Sequence, residues 1–89
     1  MKLHIHVQKV DEIVEVRDAA EALRRTKQEA AKRATFLQRA VVNAMSDLMF
    51  ASKAVEMNNA QSERNDPLPR SAQEFLDWAV ERGYVSILE

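Results

Sequence analysis

The sequence predicts a mainly α-helical, α+β protein. The expected order is a strand or hairpin, a long helix, a loop, a short helix and a terminal strand. Three observations lead there. The first ten residues, MKLHIHVQKV, alternate apolar and polar side chains. Residues 18–59 contain neither glycine nor proline. The single glycine and both prolines of the 89-residue chain all fall in its last quarter. So few turn-forming residues nearly exclude a sandwich or barrel, and they exclude glycine-rich phosphate loops.

Leu3, Ile5 and Val7 would face one side of the first strand, and Lys2, His4, His6 and Gln8 the other. Period two of this kind marks a half-buried strand. Residues 13–17, IVEVR, suit a second strand paired as a hairpin, although Asp11 could instead cap a helix there. Strand is preferred because Asp18 and Glu21 form a D-x-x-E pattern that resembles the start of the next helix. Residues 1–17 are thus expected to form an N-terminal strand or hairpin.

From Asp18 to Asn59, Ala, Leu, Glu, Lys, Arg, Gln and Met dominate, and all favour helix. One helix over 18–59 would be a rod about 60 Å long, more than a chain of this size can cover by itself. In heptad register, Ala20, Leu23, Ala30, Ala34, Leu37, Val41, Ala44, Leu48, Ala51 and Val55 form a seam in which only Lys27 and Asn58 are polar. This predicts a coiled-coil-like or helical-hairpin contact, most simply an intertwined homodimer or a higher oligomer. Val42, Met45, Met49 and Phe50 broaden the apolar surface and are expected to be covered by the rest of the fold. Two faint interruptions lie in the run, a T-x-x-Q pattern at Thr35–Gln38 and the segment Asn43–Asp47.

Residues 60–70 form the expected loop, with Pro67 and Pro69. Ser71 and Glu74 then make an S-x-x-E capping box. Ala72, Phe75, Leu76, Ala79 and Val80 supply one apolar helical face, and Gly83 ends the helix, which places it over 71–83. Residues 84–89 read as a strand. The two terminal strands are expected to pair, within one chain or between subunits. The whole chain, 1–89, is one domain.

No residue pattern identifies an enzyme, a cofactor or a family. With no cysteine there is no thiolate chemistry and no disulfide. His4 and His6 could supply two metal ligands, but a complete site would need carboxylates such as Asp11 or Glu89. No segment suggests a membrane span or a secretion leader, so a cytoplasmic setting is expected.

Net charge is −1, yet residues 17–39 sum to +4 and residues 40–89 to −4. Arg24, Arg25, Lys32, Arg33 and Arg39 are candidate phosphate contacts for a nucleic-acid-binding accessory factor. Position f of any coiled coil also carries such charges, and aromatic residues are not interleaved with them. Phe75, Trp78 and Tyr84 are candidate anchors for a protein partner. The preferred expectation is a small non-enzymatic oligomeric module that binds another protein. It would act as an adaptor, regulator or inhibitor of the kind carried by phages and mobile elements.

Overall fold

The computed structural model describes residues 1–7 and 10–88. Strands β1 (Lys2–Val7) and β2 (Val10–Glu15) form an antiparallel hairpin. Helices α1 (Ala19–Arg33), α2 (Phe36–Ala44), α3 (Asp47–Ser62) and α4 (Ala72–Glu81) follow, and strand β3 (Val85–Ile87) closes the chain. The sheet order is β2-β1-β3, with β3 antiparallel to β1 so that Leu3 faces Ile87 and Ile5 faces Val85. The terminal strands therefore pair within one chain.

Alternation along β1 has the expected result. Leu3 is buried with Val16, Ala19, Ala22 and Leu76 in one core cluster between the sheet, α1 and α4. A second cluster joins α1, α3 and α4 through Leu23, Ala51, Val55 and Phe75. The remaining gap between sheet and helices, lined by residues such as Leu3, Val16, Leu23 and Leu76, is about 20 Å³, room for roughly one water.

The single helix over 18–59 does not occur. The run is three helices, and the molecule measures 37 × 27 × 25 Å, well short of a 60 Å rod. Neither break uses glycine or proline. Ala34 and Met45, the residues that end α1 and α2, take extended backbone angles open to any residue (φ −85°, ψ 157° and φ −83°, ψ 146°). Each next helix is then capped from its own sequence. Thr35 accepts from the Gln38 N–H while the Gln38 side chain accepts from the Thr35 N–H. Ser46 accepts from the Met49 N–H. Both faint interruptions in the sequence are real breaks between helices.

Breaking a helix also frees carbonyls at its C-terminal end. Arg39 Nε donates to Ala31 O at 3.0 Å, and Lys27 Nζ donates to Met45 O. Lys27 also lies 3.4 Å from Asp47 Oδ1. The lysine that spoils the heptad seam is thus the residue that holds the α2–α3 turn against α1.

The seam is divided accordingly. Leu23, Ala51 and Val55 are buried inside one chain, and Ala30 and Ala34 are half-buried. Leu37, Val41, Ala44 and Leu48 are exposed. Of the residues expected to be covered around them, Met49 is exposed, whereas Val42, Met45 and Phe50 are half-buried.

Helix α3 continues to Ser62, three residues into the expected loop, and ends at Glu63 in the left-handed region (φ 54°). Helix α4 has its Ser71 cap as expected, and Gly83 (φ 81°) makes the left-handed exit toward β3.

Two substitutions separate packing from capping. Leu3→Ala, which empties a fully buried position, should lower unfolding free energy by about 3 kcal/mol in denaturant titration. Thr35→Ala should cost about 1 kcal/mol and, by hydrogen exchange, deprotect α2 ahead of α1 and α3.

Candidate functional site

The most developed surface feature lies where the loop after α3 runs back over α4. Its geometry starts from Asp66. The Asn59 side chain pairs with the Asp66 backbone in both directions, Nδ2 donating to its carbonyl at 2.9 Å and Oδ1 accepting from its N–H at 3.1 Å. The Asp66 carboxylate accepts from Arg64 Nε at 3.3 Å, from Arg64 NH2 at 3.2 Å and from the Trp78 indole N–H at 3.1 Å. Hydrogen bonds from Arg64 first, and then from Trp78, hold its pKa below the usual aspartate range.

With Asp66 fixed, Pro67, Leu68 and Pro69 form a short strap beside α4, and Pro69 is buried beneath it. Between strap and helix is an open groove of about 260 Å³, lined by Asp66, Pro67, Leu68 and Pro69 on one side and by Glu74, Asp77, Trp78, Glu81 and Arg82 on the other. The helical residues follow the i, i+3, i+4, i+7 spacing of a single face. Four carboxylates therefore surround a half-buried tryptophan; Arg82 lines the groove with them, and Arg64 pairs with one of the four, Asp66.

The Arg82 guanidinium is engaged elsewhere. Arg82 NH2 donates to Asn58 Oδ1 at 3.1 Å, and the group sits 5.8 Å from the Tyr84 ring centroid. Asn58 Nδ2 in turn donates to the Tyr84 hydroxyl at 2.5 Å. Hydrogen bonding by Arg82, then by Asn58, lowers the tyrosine pKa from its ordinary value. Arg82 Nε is buried with no hydrogen-bond partner among the described residues.

The expected aromatic anchors are brought together but play different parts. Phe75 is buried in the core and stacks on Trp78 (centroids 5.7 Å apart, planes at 24°). Tyr84 meets Trp78 edge-on, also at 5.7 Å. Trp78 alone of the three lines the groove. Asn58, Asn59, Arg64 and Asp66 carry no site signal in the sequence, because only the tertiary fold brings them to the aromatic end of α4. The row Glu74, Asp77, Glu81 was detectable as one face of the capped helix.

The other candidates are dispersed. His4 Nε2 lies 2.5 Å from Asp11 Oδ1, His6 Nε2 lies 3.1 Å from Ser86 Oγ, and the two rings are 4.9 Å apart. Among the described residues no three His, Cys, Asp or Glu side chains gather into a metal-binding group. Glu89, a suggested further ligand, lies outside the described residues.

Most of the basic residues on α1 are paired on the helix itself. Arg24 and Arg17 pair with Glu21, and Lys32 and Arg33 with Glu29. The Glu29 pKa is lowered by Arg33 and then Lys32, and that of Glu21 chiefly by the Arg17 backbone N–H. Arg39 caps α1, and Arg25 lines the small interior gap. Among the described residues no helix is long and apolar enough to cross a membrane.

Comparison of the chain with protein-family models, curated proteins and solved structures finds no match.

Because folding lowers the Asp66 pKa, its contribution is complete above the usual aspartate range and is lost as pH falls through the depressed value. Trp78, the only tryptophan, reports this directly. Its emission should be constant at neutral pH and change in acid, and Asp66→Asn should remove that acid transition. A pH titration of fluorescence for both proteins makes the comparison.

Proposed function

We propose that this protein is a non-enzymatic binding module that holds a Lys- or Arg-bearing segment of a partner protein in the groove between the 66–69 strap and α4. The observation that carries the reading is the lining of that groove, a half-buried indole among four carboxylates. A cation beside a tryptophan ring gains from the ring quadrupole and from nearby carboxylates together. Prolines flanking Leu68, and the hydrogen bonds on Asp66, hold the site in shape before binding, which reduces the ordering cost.

An adaptor, regulator or inhibitor working in the cytoplasm would use such a site. The alternative of nucleic-acid binding through Arg24, Arg25, Lys32, Arg33 and Arg39 has less behind it. Arg24 is paired with Glu21, Lys32 and Arg33 share Glu29, and Arg39 is committed to a helix end.

The test uses a fluorescent decapeptide rich in Lys and Arg, its alanine-substituted analogue and a duplex DNA oligonucleotide, each titrated with the intact protein at 50 and 300 mM salt. The basic peptide should bind, more weakly at high salt, and should change Trp78 emission. Asp77→Lys with Glu81→Lys, two exposed sites, should weaken it at least tenfold, about 1.4 kcal/mol, with unchanged circular dichroism. Equal binding by the charge-reversed protein, no binding at millimolar peptide, or preference for the DNA would overturn the reading.

A further inference from the structure

A second surface, away from the Trp78 groove, has no role in the binding described above. Helix α2 contains no buried residue. Phe36 is 83% exposed, Leu37 76% and Val41 61%, and just beyond the turn Leu48 and Met49 are 39% and 54% exposed. Within α2, Leu37, Val41 and Ala44 follow i, i+4, i+7, the spacing of a helix–helix contact, and Phe36 and Ala40 flank that stripe. Alanines at 40 and 44 leave room for another helix to approach closely.

We propose that α2 packs against α2 of a second copy of this chain, forming a two-fold dimer. Charge and area identify the occupant. Residues 36–50 carry only two charged side chains, Arg39 and Asp47. Both have partners inside the same chain, Arg39 with the Ala31 carbonyl and Asp47 with Lys27. Arg39 keeps its charge but stands two residues from Leu37 and from Val41, on the opposite side of α2, so the apolar stripe itself carries no charge to select a different protein or to repel its own copy. A two-fold contact requires a patch complementary to itself, which an uncharged apolar stripe satisfies. The chain's net charge of −1 adds little long-range repulsion between copies.

The five exposed side chains present on the order of 500 Å² of apolar surface, taking a whole aromatic side chain as about 200 Å². Pairing two such faces removes about 1,000 Å² from water, the lower bound of specific interfaces. Dimerisation should accordingly be concentration-dependent in the micromolar range. It would also satisfy the assembly expected from the heptad pattern, with a contact confined to its middle third.

Sedimentation velocity and light scattering of the intact protein from 1 to 200 μM test this. The wild type should approach twice the 10.2 kDa chain mass with rising concentration. Leu37→Glu should stay at the single-chain mass throughout. Since Leu37 is exposed within one chain, that variant should retain wild-type circular dichroism, and its melting temperature should no longer depend on concentration. Glu81→Lys, in the groove, should dimerise as the wild type does. A wild type that remains at 10.2 kDa at 200 μM, or a folded Leu37→Glu protein that still doubles its mass, would overturn the proposal. Should Leu37→Glu fail to fold, Val41→Lys provides the same comparison at a second exposed position.

Discussion

The architecture depends on two cations that occupy the carbonyls freed where the helical run breaks. A stretch without glycine or proline gains one hydrogen bond per residue by continuing as helix, so a break must be compensated at both new ends. Thr35 and Ser46 satisfy the N-terminal side, each cap contributing about 1 kcal/mol. Arg39 and Lys27 satisfy the C-terminal side. What then favours the broken form is packing. Turning back brings Ala51 and Val55 of α3 against Leu23 and Phe75, and each large apolar side chain so buried contributes about 1.5–3 kcal/mol. Straight continuation would leave those side chains in water until another molecule covered them.

The same reversal builds the groove. Folding α3 against α1 and α4 brings its C-terminal residues near the aromatic end of α4. There the adjacent Asn58 and Asn59 divide the work. Asn58 ties Tyr84 to Arg82, and Asn59 grips the backbone of Asp66. Asp66 then fixes the indole of Trp78 and the start of the proline strap. An exposed loop could meet Trp78 in many ways, but here the Asn59 amide and the Asp66 carboxylate hold it in one arrangement. The acidic lining follows from that arrangement, because Glu74, Asp77 and Glu81 already share the α4 face that the strap approaches.

Much of the fold was legible where local chemistry decides it. Alternation placed β1, the S-x-x-E box placed the start of α4, and Gly83 placed its end. The long run was misjudged for a physical reason. Helix propensity and heptad spacing are both local patterns, and both survive within each of the three shorter helices. Besides the two faint interruptions, the polar residues Lys27 and Asn58 in an apolar row are the marks in the sequence that the row is not one surface. The carbonyl partner of Lys27 lies eighteen residues away, beyond the reach of any periodicity. The groove was half legible in the same sense. Trp78 and the acidic row are on one helix, whereas Asn59 and Asp66 reach them only through the tertiary fold.

Charge along the chain also changes meaning once the chain is folded. The +4 of residues 17–39 is what remains after Asp18, Glu21 and Glu29 are counted, and two of its cations, Lys27 and Arg39, are held at helix ends. The groove keeps the acidic field of Glu74, Asp77 and Glu81, while α1, with five cations against Glu21 and Glu29, keeps a net positive charge. Between these regions α2 carries almost no charge at all. The two proposed contacts would therefore respond to solvent in opposite ways. Added salt screens attraction into an acidic groove, but it does not weaken an apolar helix contact and, with strongly excluded salts, reinforces it. Partner binding and self-association would then be separable by ionic strength in a single chain, because one surface is lined by carboxylates and the other is an apolar stripe.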